Sequence, residues 1–170
     1  MGKKTLCTAA ALIICMAGLS ARELAFHVVQ HNGSLETVSE QTLMIEDIVL
    51  DYFFNRGDIV TNEPAEAVKA DGDAASYKKA FSDAADGGAA YFIQLRLYYV
   101  AETSSDPASI ALSNIDHVTW TVTEVQSGKK IADMKGRPGK AAEGQDETEG
   151  VKSYAADIAD AIQKVLNEKA

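Results

Sequence analysis

Residues 90–101, AYFIQLRLYYVA, constrain the fold more than any other stretch. Tyr91, Ile93, Leu95, Leu97 and Tyr99 alternate with Phe92, Gln94, Arg96, Tyr98 and Val100. A period of two makes this a strand. Large apolar residues occur in both alternating sets, so both faces need cover, as in a central strand of an α/β sheet. Further strands follow from alternation at residues 23–30, a short run at 58–62 stopped by Pro64, residues 115–125, and residues 130–135. Gln126-Ser127-Gly128-Lys129 joins the last two as a hairpin. In the strand at 115–125, Val118, Trp120 and Val122 make an apolar face; His117, Thr119, Thr121 and Thr123 make a polar one.

Helical periodicity falls between these strands. Residues 38–56 carry Ile45, Ile48, Val49, Tyr52 and Phe53 on one stripe, with Thr37 and Glu40 at capping-box spacing and Gly57 after the end. Residues 74–85 bury Tyr77, Ala80, Phe81 and Ala84, and Gly87-Gly88 terminate that helix. Residues 147–168 close the chain with a stripe of Val151, Tyr154, Ala155, Ile158, Ile162 and Val165. The order β-α-β-α-β-β-β-α predicts a three-layer α/β domain. Its mixed five-stranded sheet has the helix-connected strands parallel.

The first 21 residues have the layout of a secretory signal peptide. Lys3 and Lys4 precede an apolar run at 6–19, and Ser20-Ala21 offer a small-residue cleavage site. The run is shorter than the ~20 residues that a spanning helix needs. The expectation is an exported protein, periplasmic or at the outer envelope, with 22–170 forming one domain and 136–150 a mobile acidic loop. Cys15 offers the alternative of a lipid anchor, although bulky Ile13-Ile14 precede it. The chain has two cysteines, Cys7 and Cys15. The remainder has none, so packing alone must hold the domain. The formal net charge is −9, and loss of Lys3 and Lys4 makes the rest more acidic still. That argues against nucleic acid as a partner.

No residue set announces a reaction. His27 and His31 are four apart, one placed in a strand and the other in the turn His31-Asn32-Gly33-Ser34, and no HExxH exists. With His117 they read as ordinary surface or sheet-face histidines, so no metal is expected. Gly136-Arg137-Pro138-Gly139-Lys140 glances at a phosphate loop, but Met134 and Ala141 stand where Gly and Ser or Thr are required. Asp157 and Asp160 read as solvated helix residues rather than an acid–base pair. Asn32-Gly33-Ser34 matches a glycosylation sequon and is set aside for a bacterial context. Trp120, Phe92, Tyr98 and Tyr99 read as core. No catalytic, cofactor or metal residue is assigned, and no enzyme activity is expected.

Three segments resemble a known family. They are Ala89-Ala90-Tyr91-Phe92-Ile93 directly after Gly87-Gly88, the hairpin from Val118 to Ala132 with Ser127-Gly128-Lys129-Lys130-Ile131, and the closing helix from Tyr154 to Leu166. Together they resemble the amino-terminal domain of TolB and its relatives over residues 24–168. Those relatives include CsgG-type secretion lipoproteins and LpoB-type activators of cell-wall synthases, which share a fold similar to the anticodon-binding domain of some tRNA synthetases. The chain lacks TolB's propeller, and its loop at 102–114 is too short and polar for CsgG's membrane hairpins. What the resemblance implies is a non-catalytic module that docks envelope proteins, an accessory of an envelope assembly. A periplasmic small-molecule carrier is the alternative. The short outer strands at Asp58 and Lys130 are the expected free edges for docking.

Overall fold

The computed structural model describes residues 21–69, 72–100, 106–139, 144 and 146–169. The chain runs β1 (Glu23–His31), α1 (Glu40–Phe54), β2 (Ile59–Ala67), α2 (Asp73–Asp86), β3 (Tyr91–Tyr99), a 3-10 turn (Leu112–Asn114), β4 (Ile115–Glu124), β5 (Lys129–Gly136) and α3 (Glu147–Asn167). The five strands form one sheet in the order β2-β1-β3-β4-β5. Strand β1 is parallel to both β2 and β3, and β4 is antiparallel to β3 and β5. The predicted class, element order and mixed sheet are all present.

Three layers follow from where apolar side chains alternate. Leu24, Phe26 and Val28 of β1, Ile93, Leu95 and Leu97 of β3, and Val118, Trp120 and Val122 of β4 share one face. They pack against Ile45, Val49 and Phe53 of α1 and Val151, Ala155, Ile158, Ile162 and Leu166 of α3. Each large side chain buried here stabilises the fold by roughly 1.5–3 kcal/mol. The other face is thinner. Ala80 and Ala84 let α2 sit close on Ala25 and Phe92, and the half-buried Tyr77 and Phe81 meet Phe92 edge-on at 5.4 and 5.6 Å.

Several boundaries differ from expectation for physical reasons. Helix α1 starts at Glu40, and its cap is Ser39, whose hydroxyl accepts from the Thr42 amide at 3.2 Å; Thr37 and Glu40 form no capping box. Instead, the Glu40 amide donates to Pro107 O at 2.9 Å. Strand β2 runs through Pro64 to Ala67 rather than stopping before it. Its pairing with β1 jumps from Glu63↔His27 to Glu66↔Val29, so Pro64 lies in a bulge of an edge strand, where its missing N–H does no harm. His31 is the last residue of β1, not part of a turn. Four residues apart on a strand, His27 and His31 therefore face the same way.

The acidic loop expected at 136–150 is partly regular structure: Gly136 ends β5, Asp146 caps α3, and 147–150 form its first turn. Residues 140–143 and 145 lie outside the described residues, as do residues 1–20 of the expected signal segment at 1–21, with Cys15, residue 101 of the expected strand, and residues 102–105 of the expected polar loop at 102–114. Among the described residues no helix is long and apolar enough to cross a membrane.

Candidate functional site

Strands β2 and β5 are the two sheet edges, as the sequence suggested. They are not alike. Strand β5 presents Lys129, Lys130 and Lys135, with Lys130 paired to Asp133 at 2.6 Å. Edge lysines of this kind resist strand addition. Strand β2 is blunted only after Glu63, by Pro64 and the bulge. Its first half, Ile59 to Glu63, pairs regularly with β1.

The register fixes which backbone groups are free. The Ile59 amide donates to Arg22 O at 2.8 Å, so Ile59 points its backbone groups inward. In a parallel pair successive residues turn these groups to opposite sides. Val60 and Asn62 therefore carry the outward N–H and C=O. Two hollows flank this edge. On the α1 side, Leu43, Met44, Glu46, Asp47, Leu50 and Asn62 line an open hollow of about 480 Å³. On the α2 side, His27, Glu63, Pro64, Glu66, Ser76, Lys79 and Ala80 line a smaller one of about 110 Å³. Leu43 in the α1-side hollow and Ile59 on the edge strand are exposed, Ile59 to 52%.

In the α1 hollow, Glu46 is only 7% exposed and accepts from Asn62 Nδ2 at 3.2 Å. Burial pushes its carboxyl above the usual range; the Asn62 hydrogen bond opposes the shift, and the charge of Asp47 adds to it.

In the α2 hollow, His27 is fully buried. Its Nδ1 lies 3.1 Å from Gln94 Nε2, and its Nε2 lies 2.9 Å from Glu66 Oε1 and 3.3 Å from Ser76 Oγ. Ser76 Oγ also donates to Glu66. Partial burial works against the Glu66 carboxylate, but the hydrogen bonds from Ser76 and His27, with the charge of Lys79 added, outweigh it, so its pKa is lowered. A serine, a histidine and a carboxylate in a cleft invite a nucleophile reading, yet the geometry differs from a relay. In a triad, serine and carboxylate bond opposite ring nitrogens. Here both meet Nε2, while Gln94 occupies Nδ1. With Gln94 donating to Nδ1, Nε2 carries the hydrogen and cannot accept the proton of Ser76. Sequence reasoning ended the second strand before Pro64, gave Gln94 only a place in the alternation of residues 90–101, and left Ser76 unremarked. Only the sheet brings residues from β1, β2, β3 and α2 together.

The remaining sequence candidates have ordinary places. His31 pairs with Asp73 at 3.0 Å and stacks on Tyr98 at 4.5 Å, and Tyr98 stacks on His117 at 4.2 Å. Among the described residues no group of three His, Cys, Asp or Glu side chains could hold a metal. Asp157 and Asp160 are exposed, and Asp160 accepts from the Tyr52 hydroxyl, joining α3 to α1. Trp120, Phe92 and Tyr99 are buried, whereas Tyr98 is half-buried. Gly136 and Gly139 precede no helix at once: α3 begins at Glu147. The Ser34 amide donates to Asn32 Oδ1 at 2.9 Å, making the sequon a turn.

The strand ends beneath α1 are filled by the protein's own polar groups. Gln30 Oε1 accepts from the Ser39 amide at 2.8 Å and from Thr42 Oγ1 at 2.7 Å, and Thr42 Oγ1 lies 2.7 Å from the Tyr99 hydroxyl. Gln41 exchanges two hydrogen bonds with the Ala111 backbone at 3.0 and 3.1 Å.

A family model described as "Uncharacterised protein" matches residues 23–167. No curated protein matches the chain. Among solved structures, it is similar to a variant of the PelC dodecamer from Paraburkholderia phytofirmans, at 14% identity and a TM-score of 0.47, over 82% of this chain and 86% of that one. It is similar to TolB from Acinetobacter baumannii at 12% identity and 0.41, over 85% of this chain and 28% of that one. It is also similar to the LpoB C-terminal domain from Salmonella enterica, at 15% identity and 0.39, over 71% and 84%. These likenesses concern the fold, and they include the TolB and LpoB families that the sequence resembles.

Proposed function

The chain belongs to the family whose model spans residues 23–167, and we propose that it acts as a non-catalytic, envelope-associated protein-binding module that docks a partner along the first half of β2. The observation that carries this reading is the edge from Ile59 to Glu63, free among the described residues, with outward backbone groups at Val60 and Asn62 and a hollow on either side. An added strand satisfies such groups directly, and pockets beside it read alternate side chains. The guarded β5 edge offers no equivalent. Export to the periplasm or outer envelope is the part of the reading that rests on Lys3-Lys4, the apolar run at 6–19 and Ser20-Ala21, with lipidation at Cys15 as the alternative.

Two competing functions find less support. A ligand carrier of this architecture would use the strand ends, and below α1 those are occupied by Gln30, Ser39, Thr42 and Tyr99. A hydrolase would need His27 free to take a proton from Ser76, which the Gln94 contact opposes.

The test is photocrosslinking in the cell from a reactive side chain at position 59, in three backgrounds. Asn62→Ala removes the bond to Glu46 but keeps the edge N–H; Asn62→Pro removes both. A partner adduct that survives Asn62→Ala and disappears with Asn62→Pro is expected. An adduct that survives Asn62→Pro, or one formed only from position 134 on β5, overturns docking at β2.

A further inference from the structure

We propose that the occupant of the β2 edge is an extended, basic segment of another protein, whose lysine or arginine enters the α1-side hollow beside Glu46 and Asp47. This rests on the docking reading above and adds the chemistry of the partner.

Charge in the hollow is out of balance. Among the described residues, neither Glu46 nor Asp47 takes part in an ion pair, although other carboxylates do: Asp58 with Arg22 at 2.8 Å, and, on the α2 side of the sheet, Glu63 and Asp83 with Lys79 at 3.4 and 2.9 Å. Glu46 is almost wholly buried with one neutral donor, Asn62 Nδ2. A buried carboxylate without a cation is costly, and a like charge on the next residue makes it costlier. The raised pKa of Glu46 expresses that tension. An incoming ammonium or guanidinium relieves it through a charge-assisted hydrogen bond.

The walls fit the same side chains. Leu43, Met44 and Leu50 supply an apolar lining, which suits the methylene stem of a lysine or arginine whose charged head reaches the carboxylates. Asn62 links the two features, since its backbone faces the open edge while its side chain holds Glu46. A strand laid on Val60 and Asn62 therefore delivers every second side chain to this hollow. The net charge of −9 attracts a basic segment at long range.

A second copy of this chain fits less well. Pairing β2 with β2 about a two-fold axis would bring the same acidic set from each copy to one interface, where like charges oppose.

The experiment selects random decapeptides displayed on phage against the full chain, then measures the enriched peptides by fluorescence anisotropy on Asp47→Asn, Glu46→Gln/Asp47→Asn, Asn62→Ala and Asn62→Pro. Glu46→Gln retains an oxygen to accept from Asn62, and exposed Asp47 has no packing role, so these variants should fold. Asp47→Asn alone is the safeguard. The expected peptides alternate apolar and polar residues with Lys or Arg in one register, and lose roughly tenfold in affinity on the double variant. A Lys→Gln change in the peptide should reproduce that loss. Alternating peptides without a basic preference, equally bound by the double variant, overturn this inference and leave edge docking intact. Peptides bound equally by Asn62→Ala and Asn62→Pro overturn edge docking, and this inference with it. A dimer of the full chain that Asn62→Pro dissociates overturns the choice of a foreign segment.

Discussion

The Nδ1 atom of His27 lies 3.1 Å from Nε2 of Gln94, an amide orientation that goes with the Nε2–H tautomer of the most deeply buried histidine in the sheet. An amide N–H at Nδ1 requires a lone pair there, so the ring hydrogen sits on Nε2 and points to Glu66. The expected outcome in nitrogen-15 spectra is an Nε2–H signature at neutral pH. An Nδ1–H signature would mean that Gln94 presents its oxygen to the ring, and would reopen Ser76 and His27 as a proton-transfer pair.

Glu46 carries a pH signature. Its folded-state pKa is raised by burial above the ordinary carboxyl value, with Asn62 opposing the shift and Asp47 adding to it. A raised carboxyl pKa favours the folded state only while the group is protonated. That contribution is fully present below the unfolded pKa of about 4.3 and is lost as pH rises through the folded value. Glu46→Gln should therefore raise the thermal midpoint by about 1–3 °C at pH 7 and leave it unchanged at pH 4. Equal shifts at the two pH values would show that packing, not ionisation, governs this position.

Gly136 leaves little room for a side chain. A Cβ there would lie 3.1 Å from one atom of the Trp120 ring and 3.2 Å from the Tyr154 hydroxyl oxygen. Trp120 is buried between the sheet and α3, so the ring cannot swing away freely. Gly136→Ala is expected to destabilise the domain by about 1–3 kcal/mol. Because Trp120 is the chain's one tryptophan, its emission should shift as well. An unchanged denaturant midpoint would show that β5 adjusts at its end.

Gln30 holds the start of α1 to the sheet. Its Oε1 accepts from the Ser39 amide and from Thr42 Oγ1, and its Nε2 donates to Thr37 O at 2.9 Å. Gln30→Leu leaves the buried Ser39 amide without its acceptor, while Thr42 Oγ1 keeps its contacts with Ser39 and Tyr99, at an expected cost of about 1–3 kcal/mol. Hydrogen exchange should then quicken in the first turn of α1 while α3 stays protected, provided that urea melts confirm a folded population. Uniform loss of protection would mean that the network supports the whole domain.

The sequence alone determined whatever depends on a repeating local pattern. The period of two at residues 91–99 marked the central strand. The stripe from Val151 to Val165 marked α3 to within one residue of its end, and the Ser127-Gly128 turn, with Gly128 at φ +64°, marked the hairpin. Trp120 declared itself as core by standing between two valines on alternate positions. These features need no knowledge of neighbours, because backbone geometry sets the period and apolar surface must leave water. Tertiary structure decided the rest. Pro64 reads as a strand breaker in isolation, and only the strand order, which puts β2 at an edge, lets the strand continue through it. Glu46 reads as the polar side of an amphipathic helix until α1 lies against β2 and closes over it. His27, Glu66, Ser76 and Gln94 sit on four elements, so their meeting has no spacing to read. Burial and partnership are relations between segments distant in the chain, and packing fixes them only when the sheet has formed.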